Sequence, residues 1–340
     1  MSRAPTINDV ARLAGVSVAT ASRTLSGARP VGARLRERVL AAARELSYAP
    51  NPHARALAQA SDASIGVVVH DVTDPYFSEI VRGMLAGAEA VGRMVLICNT
   101  WRDPDRELAY VASFRAQRVR ALVLAGSGID DRRFGARMAN EISGFEAGGG
   151  KAVLIGRHYA PGDAVIPDNV GGARALAGEL AALGHRRIGV IGGPAHLTTS
   201  TDRLTGFRSG LEDAGVELPD VHVVEGDFTR EGGARGAALL LDRVPGITAI
   251  WALNDVMAVG ALRTLRERGL RVPDEVSLCG FDDIPLATDV APELSTVRVP
   301  MVEMGSRALG LALDAHRSEI RIDHLPTRVV LRGTTGPAPS

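Results

Sequence analysis

The sequence predicts two architectures in one chain of 340 residues: a small all-α head, then a larger α/β body built on parallel sheets. Three observations predict this. In the stretch "TINDVARLAGVSVATASRTLSG", residues 6–27, apolar residues recur at helical spacing on both sides of a glycine break. After Asp62, short apolar runs alternate with amphipathic or Ala-rich segments, which is the pattern of repeated βα units. Charge is also split. The first 61 residues carry nine arginines and three acids, a surplus of six positive charges in a chain whose formal net charge is zero. A basic segment on an acidic body suggests that one end meets a polyanion; an uneven scatter of arginine is the plain alternative.

In the head, Thr6 caps a first helix with Asp9 in the acidic place of a capping box. Val10, Ala11 and Ala14 share one face. Gly15-Val16 breaks the run, Ser17 offers a second N-cap, and a second helix continues to about Leu25 with Ala21 and Leu25 facing the first. Gly27 stops it. Two short helices around a tight glycine turn form a helix-turn-helix. A third helix, "GARLRERVLAAARELSY", repeats apolar residues at Leu35, Val39, Ala42/Ala43 and Leu46 and closes the small core.

In such a unit the start of the second helix enters the major groove. Here it presents Val18, Ala19, Ser22 and Arg23. Arg23 has the reach to grip guanine, worth roughly 1–3 kcal/mol of discrimination. Val18 and Ala19 offer only apolar contact to thymine methyls, and Thr20 suits a phosphate. A three-helix protein-interaction module with solvated arginines remains the alternative. Next comes "YAPNPHARALAQAS", where Asn51 caps, Pro52 suits a first turn, and residues 53–59 form at most two turns. So short a helix is unstable alone. Leu57 has no obvious core to enter, and one use for it is as a wedge between minor-groove base steps, opposite a partner copy.

In the body, strands are expected at 65–70, 94–99, 121–125, 152–155, 188–191, 222–225, 249–253 and 276–279, with helices such as 76–91, 171–183 and 256–268 between them. Ligands of parallel sheets bind at the carboxyl ends of strands. The stretch "GFEAGGG", 144–150, reads as a loop. Cys98 and Cys279 sit in apolar runs and read as buried free thiols of a reducing compartment. No apolar run approaches the ~18 residues of a membrane span and no signal peptide follows Met1, so a cytoplasmic protein is expected.

The head motif, "RERVLAAARELSY", "PNPHARAL" and the body's "DPYF", "LGHRRIGVIGGP", "RLTGFRSGL", "GLRVPDEVSLCGFDD" and "PELSTVRVP" occur in order. On these motifs the chain resembles the lactose-repressor/galactose-repressor (LacI/GalR) family of transcription regulators, from Thr6 to about Arg332. Two departures stand out: Gly32, where the family usually has Ser, and Gly156, where it often has an acid. The first weakens a cap by a few tenths of a kcal/mol. The second removes a hydroxyl acceptor and leaves room for a larger ligand.

The resemblance implies a DNA-binding domain over 1–50, a hinge helix over 51–61, a core over 62–335 and a tail over 336–340. The core would be a type I periplasmic-binding-protein-like pair of lobes, about 62–165 with 288–318, and about 166–287 with 319–335. The chain would cross between them near Val165, Pro285 and Ser318. DNA-facing residues would be Thr6, Ser17, Val18, Ala19, Thr20, Ser22 and Arg23 in the head, with Asn51, His53, Ala54, Arg55 and Leu57 in the hinge. A small-molecule effector, most commonly a sugar, would meet Tyr76, Phe77, Arg157, Arg203, Phe228, Asn254 and Asp282. Taken singly, each also has an ordinary reading as a cap, a surface ion or a core residue; jointly, at the strand ends of one cleft, they read as a binding site. Asp255 would cap a helix, and one of Tyr76 and Phe77 would belong to the core.

The reading is a ligand-responsive regulator, a repressor binding a near-palindromic operator as a homodimer. No heptad leucines follow Arg332 to build a tetramer. No cofactor, metal or catalytic residue is expected: the eight histidines are scattered, and Gly126-Ser127-Gly128 is not a dinucleotide loop. Two rivals remain, an α/β enzyme and an exported sugar-binding protein.

Overall fold

The computed structural model describes residues 5–26, 32–46, 48, 64–314 and 319–339. The chain divides into two units, Met1–Ala63 and Ser64–Ser340. In the first, the apolar spacing gives α1 (Ile7–Ala14), α2 (Val18–Ser26) and α3 (Ala33–Glu45). Val10, Ala11, Ala14, Ala21, Val39, Ala42 and Ala43 form its core, with Ile7, Val16, Leu25, Leu46 and Tyr48 packed around them. Leu35, expected in that core, is half-buried outside it. The Thr6 amide and hydroxyl both donate to the Asp9 carboxylate, at 2.9 and 2.7 Å, and Gly15 ends α1 at φ 61°. Arg38 on α3 donates to the Ala14 carbonyl at 2.7 Å, satisfying one of the acceptors left at the end of α1. Gly32 starts α3 without a side-chain cap bond, and the helix forms all the same.

The second unit runs β1 (Ser64–Val69), α4 (Pro75–Ala90), β2 (Met94–Asn99), α5 (Pro104–Ala116), β3 (Ala121–Ala125), α6 (Arg132–Ala147), β4 (Lys151–Ile155) and β5 (Asp163–Pro167). It continues with α7 (Asn169–Ala182), β6 (Ile188–Ile191), α8 (Thr198–Asp213), β7 (Val223–Val224), α9 (Arg230–Arg243), β8 (Ala249–Ala252), α10 (Asp255–Glu267), β9 (Ser277–Cys279) and α11 (Leu286–Asp289). It closes with β10 (Thr296–Arg298), α12 (Met301–Leu313), β11 (Ile322–Leu325) and β12 (Arg328–Val330).

Two parallel sheets result, β11-β5-β4-β3-β1-β2 and β7-β6-β8-β9, with β10 and β12 as a separate antiparallel pair. Strands β1, β3 and β8 are almost wholly buried because helices cover both faces, so they read as continuous apolar runs. In the first lobe α4 packs on α12; in the second α7 packs on α8 and α9 on α10. Phe207 of α8 stacks on Trp251 of β8 at 4.2 Å.

Several expectations need correction. Residues 322–325 form β11, which pairs with β5 in the first sheet, so they do not belong to the second lobe. Residues 295–298 run beside β9: the Gly280 amide donates to Ser295 and the Asp282 amide to Val297, which places them with the second lobe. The crossings therefore fall after Pro167, near Val299-Pro300, and after Leu325. Strand β11 was hidden because it is a polar edge strand with one fully buried side chain, Leu325. The supposed loop at 144–150 is helical as far as Ala147. Phe145 is buried together with Phe134, Met138 and Ile142 at helical spacing, and that outweighs the glycine at 144. Cys279 is buried, whereas Cys98 on edge strand β2 is half-buried. Among the described residues no helix is long and apolar enough to cross a membrane.

Candidate functional site

On α2 of the head, Val18, Ala19, Ser22 and Arg23 are exposed and Thr20 is half-buried. Ser17 caps the helix, accepting the Thr20 amide at 3.1 Å, and the two hydroxyls lie 2.9 Å apart. Arg23 Nε donates to the Ala19 carbonyl at 3.2 Å, which lays its guanidinium along its own helix. The Thr6 hydroxyl is committed to Asp9. Asn51, His53, Ala54, Arg55 and Leu57 lie outside the described residues.

In the body, parallel βα units bring every strand end and the following helix start to one edge, and the edges of the two sheets face each other there. They enclose a cleft holding about 480 Å³ of atom-free space, part of it open to solvent. Tyr76, Phe77, Arg203, Phe228, Asn254 and Asp282 line it together. His70, Asp74, Arg102, Ser127, Asn169 and Thr199 also line it, and the sequence did not single these out.

The wall from the second lobe is an ion network. Arg203 is 2% exposed and lies over the Phe281 ring at 3.8 Å. Its Nε donates to Asn169 Oδ1 at 2.9 Å, one terminal nitrogen to the Leu253 carbonyl at 2.5 Å, and the other to Asp282 at 2.7 Å. Burial pushes the Asp282 carboxyl up to about 7, with Arg203 opposing the rise. Asn254, not Asp255, caps α10, accepting the Met257 amide at 2.9 Å, so its amide NH₂ remains to face the cleft. Asp255 is a fully buried anchor that binds the Ile284 amide at 2.9 Å and the Thr296 hydroxyl at 2.6 Å. Asp283 pairs with Arg298 and Arg332, a structural role.

The wall from the first lobe is built differently. Asp74 caps α4 through the Tyr76 amide at 3.0 Å, and burial raises its carboxyl. Tyr76 and Phe77 meet edge to face at 5.1 Å; both line the cleft, and Phe77 is also a buried member of the core, as expected for one of the pair. Burial drives the Tyr76 phenol above its usual range and the His70 imidazole down to about 3, so His70 is neutral near pH 7. Arg102 sits 3.8 Å from Asp74 and 5.6 Å from the Phe228 ring. Gly156 lines the cavity at φ 92°, and a Cβ there would stand 2.7 Å from the Gly126 carbonyl. An acidic side chain at this position is therefore strained as well as absent.

Arg157 is a correction. It does not line the cavity; its guanidinium is forked onto Asp202 at 2.7–3.1 Å. The resemblance gave its position in sequence, but Asp202, 45 residues on, takes the side chain away from the cleft.

Backbone strain gathers at the same edge. Arg102 (φ 60°), Phe228 (φ 62°) and Asp282 (φ 114°) hold left-handed conformations, each costing about 1 kcal/mol or more.

A helical head of DNA-reading form and a two-lobed body closing on a small-molecule cleft define a ligand-responsive, DNA-binding transcriptional regulator. Residues 6–51 match the family described as bacterial regulatory proteins, lacI family, and residues 177–335 match the periplasmic binding protein-like domain. The chain is 33% identical to the HTH-type transcriptional regulator DegA of Bacillus subtilis over 98% of both chains. It is 37% identical to the regulator GalR of Escherichia coli K12, over 91% of this chain and 88% of that one. A lac repressor dimer bound to operator and an anti-inducer superposes with TM-score 0.81 at 28% identity, covering 98% of this chain and 100% of that one. A CelR regulator in complex with cellobiose superposes with TM-score 0.70 at 31% identity, covering 97% and 99%. The chain belongs to the lacI family of bacterial regulatory proteins.

Proposed function

We propose that this regulator is a cytoplasmic repressor without catalytic activity, which binds a near-palindromic operator as a homodimer and answers to an uncharged sugar in the cleft. The observation that carries the ligand class is the pairing of charge. Each cleft cation has an acid beside it, Arg203 with Asp282 at 2.7 Å and Arg102 with Asp74 at 3.8 Å. A phosphate or carboxylate would have to displace those partners. Hydroxyls instead accept from guanidinium edges and donate to carboxylates, while Tyr76, Phe77 and Phe228 supply ring faces for the apolar side of a pyranose. Cellobiose in the CelR complex, and ribose in a lacI-family regulator of Enterococcus faecium with TM-score 0.72 at 26% identity, support the same class.

DNA recognition is assigned to the exposed start of α2, with Val18 and Ala19 against base edges, Ser22 and Arg23 one turn on, and Thr6, Ser17 and Thr20 toward the backbone. Asn51, His53, Ala54, Arg55 and Leu57 are proposed as the hinge that enters the minor groove. Ligand would alter the lobe arrangement and so the hinge, coupling the two sites.

A thermal-shift screen tests the ligand class. Ligand at a hundred times its Kd stabilises by about 2.7 kcal/mol. Stabilisation by cellobiose, ribose or another neutral sugar, and not by glucose 6-phosphate, supports the reading. Stabilisation only by charged ligands, or by none of the sugars, overturns it. Selection from random duplexes tests the operator: enrichment of inverted repeats is expected, and no enrichment would remove sequence-specific binding by a dimer.

A further inference from the structure

The two lobes are bonded to each other directly on one side of the cleft. After β3, residues 126–130 of the first lobe meet the stretch that enters α8 in the second. The Asp130 amide donates to the His196 carbonyl at 2.7 Å and the Thr198 amide to the Gly128 carbonyl at 2.9 Å, with Ile129 and Leu197 as an antiparallel bridge between them. The Thr198 hydroxyl adds a bond to the Arg157 carbonyl at 2.7 Å. Beside this strap Arg157 and Asp202 form their ion pair across the lobes: Nε reaches both carboxylate oxygens at 3.1 and 3.0 Å, and a terminal nitrogen reaches one at 2.7 Å.

The pair is braced from within the first lobe. The Tyr159 ring lies 5.6 Å from the Arg157 guanidinium, and its hydroxyl donates to Asp130 at 2.6 Å. A Cβ on Gly128 would stand 2.3 Å from the Arg157 carbonyl, so this glycine lets the strap lie against the Arg157 loop. That accounts for the second glycine of the Gly-Ser-Gly motif, which fits no dinucleotide site. The forked geometry puts the pair among the ion pairs that contribute measurably, even with the two side chains 37% and 19% exposed.

We infer that Arg157 and Asp202 are positioning residues: their ion pair across the lobes, together with the strap at 128–130 and 196–198, latches the two lobes together beside the cleft. Neither residue lines the cavity, so they act on ligand affinity through the lobe equilibrium. A protein whose lobes are already held together spares its ligand the work of bringing them together.

The test uses the full-length protein with no small molecule, so the failure of any sugar to bind leaves it intact. Amide hydrogen exchange is measured for the parent, Asp202→Asn, Arg157→Gln and the charge-exchanged pair Arg157→Asp with Asp202→Arg. Each single substitution is expected to speed exchange at Asp130 and Thr198 about fivefold, the size of a well-formed, partly exposed ion pair. The amides of β3 and β6 should keep their protection, and the charge-exchanged pair should restore it in the strap. Unchanged exchange in the single variants overturns the latch. Faster exchange spread equally through β3 and β6 also overturns it, because that marks a general loss of stability.

Discussion

The two lobes present unlike faces to the cleft they share. The second arrives with its polar groups already bonded: Arg203 is held by Asn169, the Leu253 carbonyl and Asp282 at once. The first offers groups that burial keeps neutral or raises, His70, Asp74 and Tyr76, and a stretch of bare backbone at Gly156. A donor array fixed before binding loses little entropy on binding and sets ligand orientation. A wall of rings, a neutral imidazole and bare backbone, with the Arg102–Asp74 pair among them, sets shape and excludes water. Orientation is thus assigned to the second lobe, and fit on closure to the first.

The contrast is broken most readily at Arg203. Removing it as Arg203→Ala leaves Asp282 buried without a cation and two acceptors without donors, at a cost of about 3–5 kcal/mol. Urea unfolding of the body should show that loss, together with no stabilisation by any sugar that stabilises the parent. Arg203→Met with Asp282→Leu sharpens the point: it should recover part of the stability, because neither charge is left stranded although two acceptors still lack donors, yet no ligand response. A double variant that still responds would take orientation away from the second lobe.

On the opposing wall Gly156→Ala is expected to cost less, roughly 1–3 kcal/mol, from left-handed backbone plus the Cβ crowding Gly126. Its Arg203 network stays whole, so ligand should still bind, more weakly, with the loss read as a reduced thermal shift. A cost as large as that of Arg203→Ala would erase the difference between the walls.

Much of this was legible in the sequence wherever function follows from chain-local rules. Phe228, Asn254 and Asp282 came with the family resemblance, Asn254 and Asp282 also lying just past strands where ligands of parallel sheets bind, and the caps of α1 and α2 were found because capping chemistry is local. What escaped depends on how two sheet edges meet. Asn169 matters because it reaches Arg203, 34 residues away, and Arg157 turned out to belong to Asp202. Strand β11 escaped because a polar edge strand has no apolar alternation to betray it. Gly156 was noticed as a missing acid; only the backbone shows that φ and the Gly126 carbonyl favour glycine there.

At neutral pH the smallest expected effect concerns His70, and it tests whether solvent is kept from the wall of the first lobe. Burial, with Arg102, His158 and His196 nearby, holds its imidazole near 3 against an ordinary value of 6.5. The folded protein therefore stays unprotonated at His70 where the unfolded chain takes up a proton. Between these two values the unfolded state binds more protons, so this residue's contribution lowers stability as pH falls, by up to about 1.4 kcal/mol per pH unit. Above pH 6.5 it contributes no slope. In nuclear magnetic resonance the His70 ring signals should hold their neutral positions from pH 8 down to 5. Exposed histidines titrate within that range. A His70 midpoint near 6.5 would mean that solvent reaches the first wall, and the distinction between a bonded lobe and a dry one would fail there.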